Sequence, residues 1–398
     1  MSSQPATMAE AASAGASPLH RGLPDEIAIW EILVRVPPKA LLRCRAVCRA
    51  WRRATSTVDF LLAHHGRQPC LPLLYEYGYG FEYGPCRSCD IIPFDHRAAA
   101  AAQLRDVATL KDGRYHLRLR ASCDGLLILS TAGSSGASCF SVCNPATRQY
   151  ARLPLIRGFM LLGMYPHPAT GEYRLLLSTD PDLMYDGPGV QEGCYVFALG
   201  SDKPLRQIGH WEPEGVASYV KAVLFRGSLH WYTELHEGEG NMIMVFDTTA
   251  ESFLEMQAPV VSGLIDLFEM HGMLGMSSFN DEEKNIDIWV LPDYKSEVWT
   301  FKYRIELAVA EIRMQCDVNQ GLWSVMVVPG DGELLVLVRF DKWLLQVDMD
   351  SKLVASFYRE RLCLSQLRLK QTLVPHTFFP ALEGYVVNDS PFISKVVK

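Results

Sequence analysis

No run of about eighteen apolar residues occurs anywhere in the chain, so a membrane-spanning helix is not expected. The first residues, MSSQPATMAEAASAGASPLHRG, lack the basic start and apolar core of a secretory signal. They are rich in Ala and Ser, and residues 1–20 are expected to form a disordered lead-in. An excess of basic charge is also missing. The net charge of −7 and pI near 5.9 argue against a nucleic-acid binder. Paired cysteines are absent too. The eleven cysteines are an odd number, scattered along the chain, which suits reduced thiols in a cytoplasmic and/or nuclear protein. A single CxxC occurs, Cys86-Arg-Ser-Cys89, and Cys70, His96 and Cys123 stand at no matching spacing for zinc. No GxSxG elbow, HExxH helix or phosphate-binding glycine loop is present. The expectation is therefore no catalytic residue, no metal and no cofactor.

What remains is the composition of a folded protein, with 48% apolar and 21% charged residues, and a length of 398 that suits two or three domains. The stretch Leu23 to Trp51 is its densest signal. Leu23-Pro24 opens a helix, since proline presets φ and needs no N–H at a helix start. Asp25 and Glu26 follow at the positive end of the helix dipole. Ile32, Leu33 and Val36 continue an apolar run that Pro37-Pro38 stops. A second helix carries Leu41, Leu42, Cys44 and Val47, and a third, after Cys48, ends near Trp51. Three short helices cannot bury so many large side chains among themselves, so some of this surface must meet a partner or another part of the chain.

These residues resemble the F-box. The pattern is carried by Leu23-Pro24, Asp25-Glu26, Ile32-Leu33, Arg35-Val36-Pro37, Leu41-Leu42, Val47-Cys48 and Trp51-Arg52. The distance from Leu-Pro to Ile-Leu is one residue longer than in many members. The resemblance implies docking to a Skp-type adaptor through Leu23, Pro24, Ile32, Leu33, Val36, Pro37, Leu41, Leu42, Val47, Cys48 and Trp51, and through the adaptor to a cullin ubiquitin ligase.

Beyond a further short helix near Asp59–His65, the texture changes. From Leu71 short apolar runs alternate with Gly, Pro, Asn and Asp turns, an all-β pattern. Helical periodicity is weak after residue 66 except around Arg97 to Leu110. Polar turn residues recur at Asn144, His167, Asp247 and Asp348, each followed by a small or hydroxyl residue and then an apolar one that re-enters a strand. Asn144, Asp247 and Asp348 lie about a hundred residues apart, and weaker turns near Pro93, Leu199 and Pro292 divide those intervals in half. A period of ~50 residues with four strands each is that of a β-propeller. The fold class expected is α+β multidomain: a three-helix unit over 21–66, then an all-β propeller of six blades over 67–398. The closing strand is expected near Leu373 to Phe379, because an open ring leaves two unpaired sheet edges.

The same region resembles the F-box-associated domain of plant F-box proteins. The phrases that carry it are Ser122-Cys123-Asp124-Gly125-Leu126-Leu127, Val142-Cys143-Asn144-Pro145, Phe225-Arg226-Gly227-Ser228-Leu229-His230-Trp231, Met244-Val245-Phe246-Asp247 and Ile286-Asp287-Ile288-Trp289-Val290. The resemblance implies a target-recognition domain with no catalysis of its own. The chain would be the recognition subunit of a ubiquitin ligase. A scaffold that binds an adaptor without turnover of a target, or a propeller enzyme, are the alternatives.

Several other clusters stay open. Lys39, Arg43, Arg45, Arg49, Arg52 and Arg53 form an acid-free basic run, either a solvated face or a contact for an acidic partner. Tyr75, Tyr77, Tyr79, Phe81 and Tyr83 alternate, as the buried face of a blade or as an exposed rim. Trp211, Trp231, Trp289, Trp299, Trp323 and Trp343 are expected mostly between blades. His230 and His236, near Glu234 and Glu237, are the best histidine pair for a metal, and a weak one.

Overall fold

The computed structural model describes residues 24–77, 88–111, 117–132, 138–154, 158–179, 191–209, 221–233, 241–330 and 334–393. They fall into two compact units, one reaching Gln68 and one starting at Pro69.

In the first unit, Asp25–Arg35 is helical throughout but changes its winding twice. It is α over Asp25–Ile27, π over Ala28–Ile32 and 3₁₀ over Leu33–Arg35. A π turn holds one more residue than an α turn, so the additional residue before Ile32-Leu33 is taken up there. Val36 is extended, at φ −71° and ψ 149°, as a residue before proline must be. Pro38 then starts the helix Pro38–Cys44, where its missing N–H costs nothing. Cys48 caps the helix Arg49–Ala54, its Sγ accepting from the Trp51 N–H at 3.4 Å. Thr57 caps the helix Val58–Arg67 in the same way through the Phe60 N–H, at 3.4 Å. Val34, Leu41 and Phe60 are fully buried, with Leu33 and Leu61 nearly so. The ring of Trp30 lies 5.5 Å from that of Phe60. His64 Nε2 donates to the Val36 carbonyl at 2.9 Å and ties the last helix to the end of the first.

The second unit is a ring of six antiparallel sheets. Its strands begin with β1 (Leu71–Tyr77), β2 (Cys89–Pro93) and β3 (Ala108–Leu110). The next sheet is β4 (Leu117–Cys123), β5 (Leu126–Ala132), β6 (Ser138–Asn144) and β7 (Gln149–Arg152). It is followed by β8 (Phe159–Pro166), β9 (Tyr173–Thr179), β10 (Cys194–Ala198) and β11 (Arg206–Gly209). Then come β12 (Val223–Phe225), β13 (Ser228–Thr233), β14 (Met242–Asp247) and β15 (Ser252–Gln257). The fifth set is β16 (Leu264–Met270), β17 (Met273–Asn280), β18 (Asn285–Leu291) and β19 (Thr300–Glu306). The sixth is β20 (Trp323–Pro329), β21 (Leu334–Phe340), β22 (Trp343–Val347) and β23 (Leu353–Tyr358). Finally β24 (Leu362–Leu369) pairs with β1, and β25 (Val386–Val387) adds to β7. Blade I is thus β24-β1-β2-β3, and blades II to VI follow in chain order, giving a six-bladed propeller. The first strand of each blade lies innermost, β24 touching both β4 and β20.

Burial follows the ring. Six apolar cores fill the six spaces between neighbouring blades, from Leu73, Ile91, Leu127 and Leu129 between blades I and II round to Phe94, Leu335, Leu337 and Leu362 between VI and I. Both faces of the middle strands are therefore covered, and these strands read as near-continuous apolar runs such as Leu334–Val338, while outer strands such as β11, β15 and β19 are largely exposed.

Three sequence expectations need correction. The closing strand is Leu362–Leu369, an inner strand, and not the segment Leu373 to Phe379. That segment crosses the ends of blades II and III. The Thr372 carbonyl just before it accepts from Asn144 Nδ2 at 3.3 Å, and Phe379 is buried in the core between those blades. The turn at His167 joins β8 to β9, whereas Asn144, Asp247 and Asp348 stand where the third strand passes to the fourth, so His167 is outside the repeat. Within Arg97 to Leu110 only Ala100–Gln103 is helical, and Ala108–Leu110 is β3. One further helix, Val309–Cys316, was not foreseen. No helix among the described residues is long and apolar enough to cross a membrane.

Candidate functional site

The turns set which residues reach each end of the propeller. The third-to-fourth strand connections start after Pro93, Asn144, Ala198, Asp247, Leu291 and Val347, on the period seen in the sequence. Asn144 Oδ1 accepts from the N–H groups of Ala146 and Thr147 at 3.0 and 3.3 Å. Asp247 does the same for Thr249 and Ala250, at 2.7 and 2.9 Å, and Asp348 for Asp350 and Lys352, at 3.0 and 2.9 Å. At the same end lie the two-residue turns Asp124-Gly125, Arg226-Gly227 and His271-Gly272, with positive φ at both positions. That geometry suits a tight hairpin and favours glycine second. The opposite end carries the second-to-third and fourth-to-first connections. Val260 (87% exposed) and Leu322 (90%) stand there as apolar side chains in water, with Met314 on the helix between β19 and β20.

On the helical unit the predicted docking residues divide by exposure. Pro24, Ile32, Pro37, Leu42, Val47 and Cys48 are exposed, and Val36 and Trp51 are half-buried. Leu33 and Leu41 are 4% and 0% exposed, inside the unit itself. Leu23 lies outside the described residues. The exposed apolar set also includes Ile27, Trp30, Val58 and Leu62. In the basic run Lys39, Arg43, Arg49, Arg52 and Arg53 are exposed. Arg45 turns inward instead: its Nε donates to Thr55 Oγ1 at 3.1 Å and its Nη2 to the Thr55 carbonyl at 2.5 Å. Burial, and next the charge of Arg52, lower its pKa. The basic run is thus five solvated cations and one structural arginine.

The other clusters resolve into structural roles. His230 is a core histidine. Its Nδ1 lies 3.1 Å from the Ser228 carbonyl and its Nε2 2.7 Å from the Tyr294 hydroxyl, so the ring donates at Nδ1 and accepts from Tyr294. Burial holds it neutral, with its pKa down at about 4. His236 and its two glutamates lie outside the described residues, as do Cys86, Trp211, Tyr79, Phe81 and Tyr83. Cys89 is buried in β2. Among the described residues no group of three or more His, Cys, Asp or Glu side chains is placed to hold a metal ion. Trp231 is buried between blades III and IV and donates from Nε1 to the Leu162 carbonyl at 2.9 Å. Trp323 stacks on Phe340 at 4.3 Å in the core between V and VI. Trp299 is partly exposed, donating to the Gln257 carbonyl at 3.0 Å.

Along the axis, the inner strands enclose a channel of about 220 Å³ that sequence reasoning missed. Leu224, Leu267, Met326 and Val327 give it apolar walls. Asp266 sits among them, and the Gln366 amide donates to its Oδ1. Burial pushes the Asp266 carboxyl up to about 7. The only hint in the sequence is a lone acid with apolar neighbours in LIDLF.

Comparison with known proteins agrees with this two-part layout. An F-box-like family pattern matches residues 21–64, and the pattern of the F-box associated beta propeller domain matches residues 100–348. The Arabidopsis thaliana F-box protein At5g49610 is 25% identical over 304 residues, covering 71% of this chain and 79% of that protein. The F-box protein At5g10340 of the same plant is 24% identical over 324 residues, covering 72% and 70%. Among solved structures, a hypothetical selenium-binding protein from Sulfolobus tokodaii aligns with a TM-score of 0.39 and 14% identity, over 73% of this chain and 75% of that one.

Proposed function

Because the chain belongs to the F-box associated β-propeller family, we propose that it is the substrate-recognition subunit of an SCF-type ubiquitin ligase in the cytoplasm and/or nucleus. The helical unit docks on a Skp-type adaptor that links it to a cullin, and the propeller holds a target protein. The observation that carries this is the set of exposed apolar side chains on the helical unit, with Ile32 45% exposed, Leu42 41% and Val47 69%. A unit this small has no interior left for them. Each gains about 1 to 2 kcal/mol on burial against a partner. Leu33 and Leu41 belong to the unit's interior and act by holding the exposed set in shape. The five exposed cations flanking them speed encounter with an acidic partner more than they tighten the complex.

Target capture falls to the propeller end that carries the fourth-to-first connections, where Val260 and Leu322 are exposed. Variable connections on a rigid scaffold are the usual place for recognition. The chain supplies no chemistry in this scheme. It raises the local concentration of target lysines at the active site of another protein.

The test is co-purification with a Skp-type adaptor. The full chain is compared with its Ile32→Asp/Val47→Asp and Val260→Asp variants. A carboxylate forced into an apolar contact costs several kcal/mol, so the double variant loses adaptor capture roughly a hundredfold or more. Its melting profile stays that of the parent, and Val260→Asp captures adaptor normally. Undiminished capture by a folded double variant overturns the assigned surface. Target half-life, measured with and without the protein, separates a ligase subunit from a scaffold.

A further inference from the structure

The channel holds a side chain that neither adaptor docking nor blade packing uses. Asp266 lies on β16, in blade V, and Gln366 on β24, in blade I, so their contact passes blade VI and spans the lumen. The geometry that delivers Gln366 is unusual. The pairing of β24 with β1 breaks register between Pro72 and Leu74. Gln366 there adopts φ +56°, a left-handed conformation that a side chain with a Cβ enters at a cost. The bulge is held on both sides: Ser365 Oγ donates to the Leu73 carbonyl and accepts from the Leu367 N–H. Bulges of this kind re-aim a side chain, and strain of this kind persists where surrounding structure enforces it.

The carboxyl so positioned is incompletely matched. Oδ1 takes the Gln366 amide, and Oδ2 accepts no hydrogen bond among the described residues. No cation among the described residues pairs with Asp266. Protein atoms crowd it and raise its pKa, yet it still borders the open lumen. Towards the turn end the channel is lined by Cys70, Cys123, Asp124, Glu269, Arg368 and Lys370. Three carboxyl groups and two cations line this part of the channel. A carboxyl with a free oxygen in an apolar surround, ionised above about pH 7, favours a cation with a short apolar body.

We propose that the propeller channel is a binding site for a small organic cation, an alkylammonium or guanidinium group whose charge meets Asp266 Oδ2 and whose carbon chain lies against Leu224, Leu267 and Met326. Gln366 is a positioning residue that fixes the carboxyl. The site lies wholly within the propeller and does not rest on adaptor docking. The same cation can arrive as a free amine or as a Lys or Arg side chain of a target protein.

Calorimetric titration of the full chain tests this with n-butylammonium, agmatine and, as a neutral isostere, n-butanol. Saturable binding of both cations is expected at concentrations up to about 10 mM, with n-butanol weaker by roughly tenfold or more. Asp266→Asn should weaken the cations by a similar factor and leave n-butanol unchanged. Should that variant fail to fold, Leu224→Trp fills the lumen from blade IV without touching the carboxyl and should block the cations. A capped Gly-Lys-Gly peptide distinguishes the sources. Peptide binding as tight as n-butylammonium points to a target side chain, and exclusion of the peptide with retention of the amine points to a free small molecule. Absence of saturable cation binding, or cation binding that Asp266→Asn and Leu224→Trp leave intact, overturns the proposal.

Discussion

A single buried carboxyl can set a pH dependence. Asp266 has its pKa raised from 3.8 to about 7, chiefly by burial, with the Gln366 hydrogen bond opposing. Below the unfolded value both states hold the proton and the group contributes nothing to pH dependence. Between the two values the unfolded chain ionises while the folded carboxyl keeps its proton, so rising pH favours unfolding. The loss accumulates from about pH 4 and levels off above about 7, reaching the order of a few kcal/mol. Asp266→Asn removes it. Denaturant melts of both proteins at about pH 4.5 and 7.5 should show the parent losing ground to the variant as pH rises; parallel behaviour counts against the raised pKa. His230 works the other way: burial favours its neutral form, so stability is lost as pH falls from about 6.5, and the loss levels off below about 4. At this scale the sequence was informative about identity and silent about setting. Leu33 and Ile32 are adjacent and equally apolar, yet one is 4% and the other 45% exposed. The winding changes from π to 3₁₀ between them, and such a change in helical winding leaves no mark in composition.

Among the elements, the hairpin turns were the most legible. An Asn or Asp that must satisfy two backbone N–H groups is a chemical requirement, so Asn144, Asp247 and Asp348 announce blades at fixed intervals. The strand β24 was illegible for the converse reason. Its bulge breaks the alternation of LCLSQLRL, and its partner β1 is remote in sequence, whereas the apolar Leu373–Phe379 segment looks strand-like because it packs over blade ends. The helix Val309–Cys316 could have been found from Ile312 and Cys316, one turn apart and both buried. Two glycines in equivalent turns make a controlled pair. Gly125 (φ +84°) has Lys370 O and Thr372 Cγ2 each 2.7 Å from where a Cβ would stand, and Gly227 (φ +77°) has open space there. Gly227→Ala should cost about 1 kcal/mol of conformational strain alone. Gly125→Ala adds a backbone clash and should cost about 2 to 4 kcal/mol. Thermal melts of the two variants compare them directly, and equal losses mean the C-terminal segment does not lie on the Asp124-Gly125 turn.

For the molecule as a whole, the ~50-residue period was legible because alternate blades repeat one polar-turn device and weaker turns mark those between, while closure is a single non-local event with no repeat to betray it. The end proposed to bind a target stayed hidden because the connections that build it obey no period. Closure also makes truncation informative. A chain ending at Tyr385 keeps β24 and loses β25, the bridge from Phe392 to Leu110, the packing of Phe392 and the backbone hydrogen bonds that tie Asn388, Pro391 and Ile393 to blades I and II, so it should keep a closed ring with a lower melting temperature. A chain ending at Arg361 lacks the inner strand of blade I, leaving the β1 edge and the flank of β20 uncovered. It should aggregate, as exposed edges do, and recovery of a monodisperse, cooperatively melting protein would show that the ring closes by other means. The order of synthesis gives the same strand a further meaning. Leu71 leaves the ribosome about 300 residues before its partner Leu369, an interval of roughly 15 to 60 s at ordinary rates of elongation. Throughout that interval the residues of the helical unit are already synthesised, while the strands of blade I wait with one edge bare. Under the proposed function, each newborn copy would therefore present its adaptor-docking surface before it could hold a target, with its own open ring the nearest incompletely folded surface in reach.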